Sequence, residues 1–328
     1  MTDTKLDPAV ELEFEQFRPE LTAYCYRMLG SAFEAEDAVQ ETMVRAWKGF
    51  EKFEGRSAVR SWLYKIATNV CYDSLKGRQR RALPMDTMPL GSASAPVADR
   101  MPDYPWLEPI PDSRVIPENA DPADAAVARE SVRLAFVAAL QHLPPKQRAV
   151  LILREVLRWK AEEVAELLET TTVSVNSALQ RARATLADSN VSATDTSSRI
   201  DPKQQELLAR YVDAFERFDM DALVTLLHED ATMSMPPFPL WLQGAEEMRV
   251  WLSGPGEGCR GSRYEPIDVN GTPGFAQWRS DGAGGYDAWA LHVIDIADGG
   301  IASVNFFVEP RLFPLFGLPV RIEPEDPR

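Results

Sequence analysis

The sequence predicts a multidomain protein in which two all-α modules, the second a helix-turn-helix, precede an α+β domain of helices and a curved antiparallel sheet. Three observations predict it. Apolar residues recur at helical spacing in two separate stretches, Val39 to Phe50 and Val175 to Leu186. Nine prolines crowd residues 83–123 between those stretches and bar a continuous helix there. Beyond residue 204 a few helical segments give way to runs rich in β-branched and aromatic residues with turn signals between them. At 328 residues the chain can bury two or three separate cores.

In the first module Val39, Met43, Ala46 and Phe50 stand at i, i+4, i+7 and i+11, which makes one buried stripe. Asp37, Gln40 and Glu41 then cluster on another face of the same helix. The next helix is strongly basic. From Arg56 to Arg81 the cations Arg56, Arg60, Lys65, Lys76, Arg78, Arg80 and Arg81 face one acid, Asp73, with Trp62, Tyr64 and Tyr72 interleaved. Cations alternating with aromatic rings suit a phosphate backbone and unstacked bases. Trp62, Ile66 and Val70 also fall at i, i+4 and i+8, so part of this aromatic content belongs to the core.

The ordered pattern Ala35-Glu36-Asp37-Ala38-Val39-Gln40-Glu41-Thr42-Met43-Val44-Arg45-Ala46-Trp47, followed by Trp62-Leu63-Tyr64-Lys65-Ile66-Ala67-Thr68-Asn69, resembles region 2 of the sigma-70 family of bacterial RNA polymerase sigma factors in its compact extracytoplasmic-function (ECF) form. The resemblance covers residues 11–82. It implies that Asp37, Gln40 and Glu41 dock on the coiled coil of the polymerase beta-prime subunit. It implies too that the following loop and helix, with Arg56, Arg60, Ser61, Trp62, Asn69, Lys76, Arg78, Arg80 and Arg81, bind the minus-10 promoter element.

Residues 83–123 read as an extended, mostly disordered or surface-tracking connector, because proline removes backbone donors and disfavours helix in the residue before it. In the sigma resemblance this is the linker between regions 2 and 4, which threads toward the polymerase cleft; a plain spacer reads equally well from the residues.

Residues 124–188 are helical again. Leu143-Pro144-Pro145-Lys146-Gln147-Arg148 opens a helix after a double proline, a short helix spans Lys160 to Leu168, and a turn at Glu169 to Thr172 leads to a third. That third helix turns Val175, Leu179, Ala182 and Leu186 inward and Ser174, Asn176, Ser177, Gln180, Arg181 and Arg183 outward. Short helix, tight turn and amphipathic helix form a helix-turn-helix, whose second helix enters the major groove. The segment resembles sigma region 4, which reads the minus-35 element with that helix. It departs from the family in having Glu169 where Gly is frequent in the turn, and Asn176 and Ala178 where cations are common.

After a Ser/Thr/Asp-rich joint at 188–203, helices are expected around Leu207 to Phe218, Leu223 to His228 and Gly244 to Leu252. Strands are expected at Ala231 to Met235, Arg263 to Val269, Gly274 to Arg279, Tyr286 to Ile296 and Ile301 to Val308, with Asp298-Gly299-Gly300 as a hairpin turn. This order resembles the SnoaL-like polyketide cyclase family, whose cone encloses a pocket; the domain is placed at 204–310 with a tail at 311–328. His228, Met233, Met235, Trp241, Trp251, Trp278, Trp289, His292 and Phe306 are the candidate lining. His228 with Asp230 could form an acid/base pair, and burial in an apolar strand would lower the pKa of His292.

Charge and cysteine usage bound the function. The net charge is −15, yet residues 1–82 balance 13 basic against 13 acidic side chains while residues 204–328 carry 9 against 20. The acidity therefore sits outside the segments expected to meet DNA. Cys25, Cys71 and Cys259 have no paired spacing and fit a reducing cytoplasm; no metal or cofactor motif, signal peptide or long apolar run occurs, so no membrane partner is expected. The resulting expectation is a cytoplasmic, non-enzymatic sigma factor. It would bind core RNA polymerase through the beta-prime and beta subunits, recognise promoter DNA and be modulated by its acidic C-terminal domain, packed on region 2 or 4 or bound to a small molecule. Two other classes fit parts of the pattern: a one-component helix-turn-helix regulator with a ligand-sensing domain, and a SnoaL-like cyclase or isomerase with a DNA-binding appendage.

Overall fold

The structure, a computed structural model, describes residues 14–50, 53, 58–117, 121–188 and 202–324. The chain divides into two compact units: residues 1–81 with 112–191, and residues 82–111 with 192–328.

The first unit begins with helices α1 (Arg18–Leu29), α2 (Ala32–Gly49) and α3 (Val59–Leu75). Gly30 ends α1 in the left-handed region at φ 73°, a conformation glycine adopts without a Cβ clash, and Ser31 caps α2 by accepting the Glu34 N–H at 3.2 Å. The expected stripe is the buried one: Val39, Met43 and Ala46 face inward with Ala35 and Ala38. Against them α3 packs Tyr64, whose ring lies 5.1 Å from Tyr24, and Tyr24 in turn shares a 2.8 Å hydrogen bond with Thr68.

The second helical module has α4 (Pro122–Val132), α5 (Leu134–Gln141), α6 (Pro145–Leu151) continued by a π turn over Ile152–Val156, α7 (Ala161–Leu167) and α8 (Thr172–Asp188). Pro145 starts α6 where its missing N–H costs nothing, and the Thr171 hydroxyl caps α8 by accepting the Ser174 N–H at 3.2 Å. The two modules share buried polar contacts. Arg148 donates to the Met28 carbonyl of α1 and, within its own module, to Gln141 Oε1 at 2.6 Å and the carbonyls of Gln141 and Leu143. Arg27 reaches the Ser131 hydroxyl at 2.6 Å.

The second unit has α9 (Pro202–Glu216), α10 (Met220–Val224), α11 (Ala245–Ser253) and strands β1 (Leu227–Ser234), β2 (Trp241–Gln243), β3 (Arg263–Val269), β4 (Thr272–Ser280), β5 (Tyr286–Ala297), β6 (Gly300–Phe307) and β7 (Arg321–Ile322). The sheet runs β2-β1-β6-β5-β4-β3, with β7 added to β5 and only the β1–β6 pair parallel. His228 was expected to end a helix; α10 instead stops at Val224, and Leu227 enters β1 because it pairs with Ile301. Asp298 and Gly299 form the expected turn, both at positive φ, and Asn270-Gly271 builds a second turn of the same kind between β3 and β4. The expected tail is structured too: a 3₁₀ turn at Pro310–Phe316 buries Leu312 and Phe313, the latter against Trp278.

Of the two forms expected for the Pro-rich connector, mostly disordered or surface-tracking, residues 82–111 take the second. Apart from one helical turn at Pro84–Thr87, residues 82–111 run without regular structure along the C-terminal domain, with which they form one compact unit. Proline leaves such a segment unable to pair with itself, so its remaining backbone groups bond to the domain's edges. Gly91 N–H donates to the Trp241 carbonyl at 2.9 Å, Trp241 Nε1 to the Met88 carbonyl at 3.0 Å, and Met101 N–H to the Pro237 carbonyl at 2.8 Å. Gly91 is required there, since a Cβ would stand 2.9 Å from the Trp241 carbonyl oxygen. At the far end Asn270 clasps Ile110 twice: its Oδ1 accepts the Ile110 N–H at 3.0 Å and its own N–H donates to the Ile110 carbonyl at 3.0 Å. Asn270 is fully buried, so Asn270→Ala strands the Ile110 N–H. We expect a loss of about 2 kcal/mol in urea unfolding of the second unit and faster proteolysis within 82–111.

Candidate functional site

Asp37, Gln40 and Glu41 are all exposed on one side of α2. Glu41 pairs with Arg45 at 2.7 Å, whereas Asp37 and Gln40 have no side-chain partner among the described residues. Both line a groove bounded by Arg18 and Glu36 and closed on one side by Ser113 and Arg114, with Arg114 3.4 Å from Glu36. Trp47 continues this face at the i+7 position from Gln40 and is 45% exposed, an anchor-sized apolar residue the sequence reading did not single out.

The basic residues expected at a phosphate backbone are already engaged. Lys76 pairs with Asp73 at 2.7 Å, Arg78 and Arg81 both reach Glu34 at 2.7 and 2.9 Å, and Arg80 meets His142 Nδ1 at 2.6 Å. Arg60 forms a pair with Glu20 at 2.8 Å and lies over the rings of Tyr64 and Trp159. Trp62 is half-buried among Phe14, Phe50 and Phe53 rather than offered to solvent, Ser61 is half-buried, and Asn69 is exposed on α3. Arg56 lies outside the described residues.

The helix-turn-helix closes on α3. Trp159 stacks 5.1 Å from Tyr64, and Glu169 holds Lys65 at 2.6 Å. Glu169, the departure from glycine in the turn, adopts φ 50°, a left-handed conformation unfavourable for any residue with a Cβ. On α8, Asn176, Gln180, Arg181 and Arg183 are exposed and Ser174 and Ser177 half-buried; Arg183 pairs with Glu155 at 2.6 Å. Ala178 is buried, so it could not carry a DNA-facing cation. Val173, 73% exposed at the start of α8, is an apolar residue that the sequence reading missed.

In the C-terminal domain only part of the expected lining comes together. A cavity of about 70 Å³, open to solvent, gathers Met235, Trp251, Trp289 and Phe306 with Phe215, Phe218, Gln277 and Arg279. Trp278 lies outside it, because strand alternation puts Gln277 and Arg279 on one face of β4 and Trp278 on the other, where its Nε1 donates to the Pro319 carbonyl. A register shift opposite Gln277 and Trp278 brings Trp289 and Ala290 both to the cavity. Met233 is core, Trp241 holds the connector, and His228 bonds the Ala297 carbonyl away from the cavity, with Asp230 exposed.

His292 is fully buried beneath the cavity with both nitrogens used. The network assigns donors in one direction: Tyr211 hydroxyl to His292 Nδ1 (3.0 Å), His292 Nε2–H to Gln277 Oε1 (2.9 Å), Gln277 Nε2–H to Ser262 Oγ (3.0 Å), and Ser262 hydroxyl to the Cys259 carbonyl (2.6 Å). Desolvation lowers its pKa to about 3, and burial raises that of the Cys259 thiol. A neutral, saturated imidazole is a structural group, not a base.

Three family profiles match the chain in this order: sigma-70 region 2 over residues 14–81, sigma-70 region 4 over residues 133–186, and a SnoaL-like domain over residues 208–304. Two sigma modules followed by a SnoaL-like domain define a sigma factor of the sigma-70 class. The ECF RNA polymerase sigma factor SigG of Mycobacterium tuberculosis (strain ATCC 25618 / H37Rv) is 47% identical over 314 residues, covering 93% of this chain and 82% of that relative. SigJ of the same organism is 27% identical across 92% of each chain, and its crystal structure superposes with a TM-score of 0.60 over 94% of this chain and 99% of that one, at 24% identity. The chain belongs to the ECF RNA polymerase sigma factors. Among the described residues no helix is long and apolar enough to cross a membrane.

Two outcomes follow from these geometries. Glu169→Gly removes the Lys65 partner and also a positive-φ penalty of about 1 kcal/mol; thermal stability should hold or rise while amide exchange over α3 quickens, and a large fall in melting temperature would contradict this account. His292 binds its proton near pH 3 when folded but near 6.5 when unfolded, so its contribution is complete above 6.5 and is lost as pH falls from 6.5 toward 3, at about 1.4 kcal/mol per pH unit. The difference in unfolding free energy between wild type and His292→Gln, measured at pH 7 and pH 5, should shrink at the lower pH.

Proposed function

We propose that this sigma factor docks on core RNA polymerase through Asp37, Gln40 and Glu41, with the coiled coil of the beta-prime subunit in the groove beside them and further contacts to the beta subunit. The observation that carries this reading is the pairing of an exposed, largely unpartnered acidic face on α2 with a separate basic segment in the same module, the turn and extended stretch Lys76 to Arg81 that follows α3 rather than the helix itself. Minus-10 recognition falls to Arg56, Arg60, Ser61, Trp62, Asn69 and the cations Lys76, Arg78, Arg80 and Arg81. Minus-35 recognition falls to Ser174, Asn176, Ser177, Gln180, Arg181 and Arg183, with Val173 added. Opening a promoter takes bases out of the stack at a cost of a few kcal/mol, so the protein supplies binding and no covalent chemistry, in the cytoplasm.

The Trp159–Tyr64 and Glu169–Lys65 contacts favour a second element of this reading: the helix-turn-helix covers part of α3 and must leave it before both promoter elements are read. The C-terminal domain modulates activity by holding the connector at Gly91, Met101 and Ile110, which limits how far the two sigma modules can separate.

An Asp37→Ala, Gln40→Ala, Glu41→Ala triple variant should lose core polymerase in co-purification by more than tenfold and lose specific run-off transcription, with unfolding unchanged because all three side chains are exposed. Retained polymerase binding would defeat the docking assignment. Asn270→Ala addresses the modulation: run-off yield equal to wild type, with the connector demonstrably protease-sensitive, would remove the connector from the regulatory account.

A further inference from the structure

We propose that the cavity of the C-terminal domain is a receptor site for an aryl carboxylate, with Arg279 as the anion anchor. The walls set the body of the ligand. Phe215, Trp251, Trp289 and Phe306 present rings around a cavity open to solvent, so a planar aromatic body can lie among them with its substituent at the mouth.

The polar end is set by a charge imbalance confined to the site. Among the described residues the lining has one cation, Arg279, and no carboxylate, within a domain where residues 204–328 carry 20 acidic against 9 basic side chains, Arg279 included. The guanidinium is held in place from two sides. Its Nε donates to the Gly258 carbonyl at 2.8 Å and its plane lies over the Trp289 ring at 4.2 Å. Its two terminal nitrogens have no hydrogen-bond acceptor among the described residues. A planar fork with free donors matches a carboxylate in bidentate fashion, which a point charge such as lysine does not.

The turn that carries Gly258 is shaped around this arrangement. A Cβ at Gly258 would stand 2.4 Å from an Arg279 terminal nitrogen, and one at Gly256 would stand 3.1 Å from the Trp251 ring. The other polar groups of the lining are already used: Gln277 is bonded to His292 and Ser262, and the Cys259 thiol stays neutral, so neither competes for the ligand's charge nor repels it. With His292 saturated and His228 and Asp230 outside the cavity, the lining offers no free general base among the described residues, so the site is assigned to binding.

The test titrates the full-length protein with benzoate and with its neutral isostere benzamide, following tryptophan fluorescence and heat release. Benzoate should bind roughly tenfold more tightly than benzamide, and Arg279→Gln should abolish that preference while leaving benzamide affinity and thermal unfolding unchanged. Arg279→Lys should recover only part of it. Equal affinities for the two compounds in the wild type, undiminished benzoate binding in Arg279→Gln, or no benzoate binding up to about 10 mM would each overturn the proposal. If Arg279→Gln fails to fold, the comparison of benzoate with benzamide on the wild type decides alone.

Discussion

The closed arrangement of the two sigma modules depends on two arginines that have been taken out of water. Burying a guanidinium is unfavourable unless acceptors surround it, and Arg148 meets that requirement with carbonyls and an amide oxygen from Met28, Gln141 and Leu143. Only the Met28 carbonyl comes from the first module. Desolvation lowers the pKa of Arg148 and of Arg27 to about 10, and each keeps one buried nitrogen without a partner, Arg148 Nε and Arg27 Nη1. The charges that join the modules are thus also disfavoured by their burial. Separation would return part of both guanidinium groups to water, which offsets part of what their hydrogen bonds contribute to the interface.

The same balance governs the basic surface. Lys76, Arg78, Arg80 and Arg81 each have an internal partner, with Glu34 serving two of them. Mostly exposed ion pairs contribute little in water and are readily exchanged, so a polyanion with closely spaced phosphates competes effectively against isolated carboxylates. On the proposed minus-10 assignment, Glu34 and Asp73 set a threshold: binding must replace several pairs together, which favours long, correctly placed DNA over scattered anions. Arg60 differs, since stacking on Tyr64 and Trp159 ties its release to movement of the second module.

Where periodicity alone specifies structure, the sequence was legible. The Val39, Met43, Ala46 stripe, the α8 stripe of Val175, Leu179 and Ala182, and the Asp298-Gly299 turn depend on local spacing and on φ preferences. Features created by partners distant in sequence were not. The prolines of residues 83–123 say that the segment cannot pair with itself, but nothing local says that Trp241 and Asn270 supply the missing partners. In the cavity, richness in tryptophan was a poor guide: Trp241 and Trp278 spend their indole N–H groups on backbone carbonyls, and the residues that matter, Gln277 and Arg279, follow from counting alternate positions along β4. Asn270-Gly271 was readable by the same rule that marked Asp298-Gly299.

The cavity and the connector use the same pieces of backbone. Met235 and Val308 line the cavity, while the adjoining Pro237 carbonyl accepts the Met101 N–H and the Val308 carbonyl itself accepts Arg100 at 3.0 Å. Val308 N–H also bonds the Pro236 carbonyl, tying the two wall segments to each other. Packed interiors are nearly incompressible, so a side chain displaced on the cavity side moves the carbonyls on the connector side by comparable amounts. The bonds in question are few and single, and a shift of a few tenths of an ångström changes their strength appreciably. This shared backbone joins the contents of the cavity to the hold that the domain has on residues 82–111.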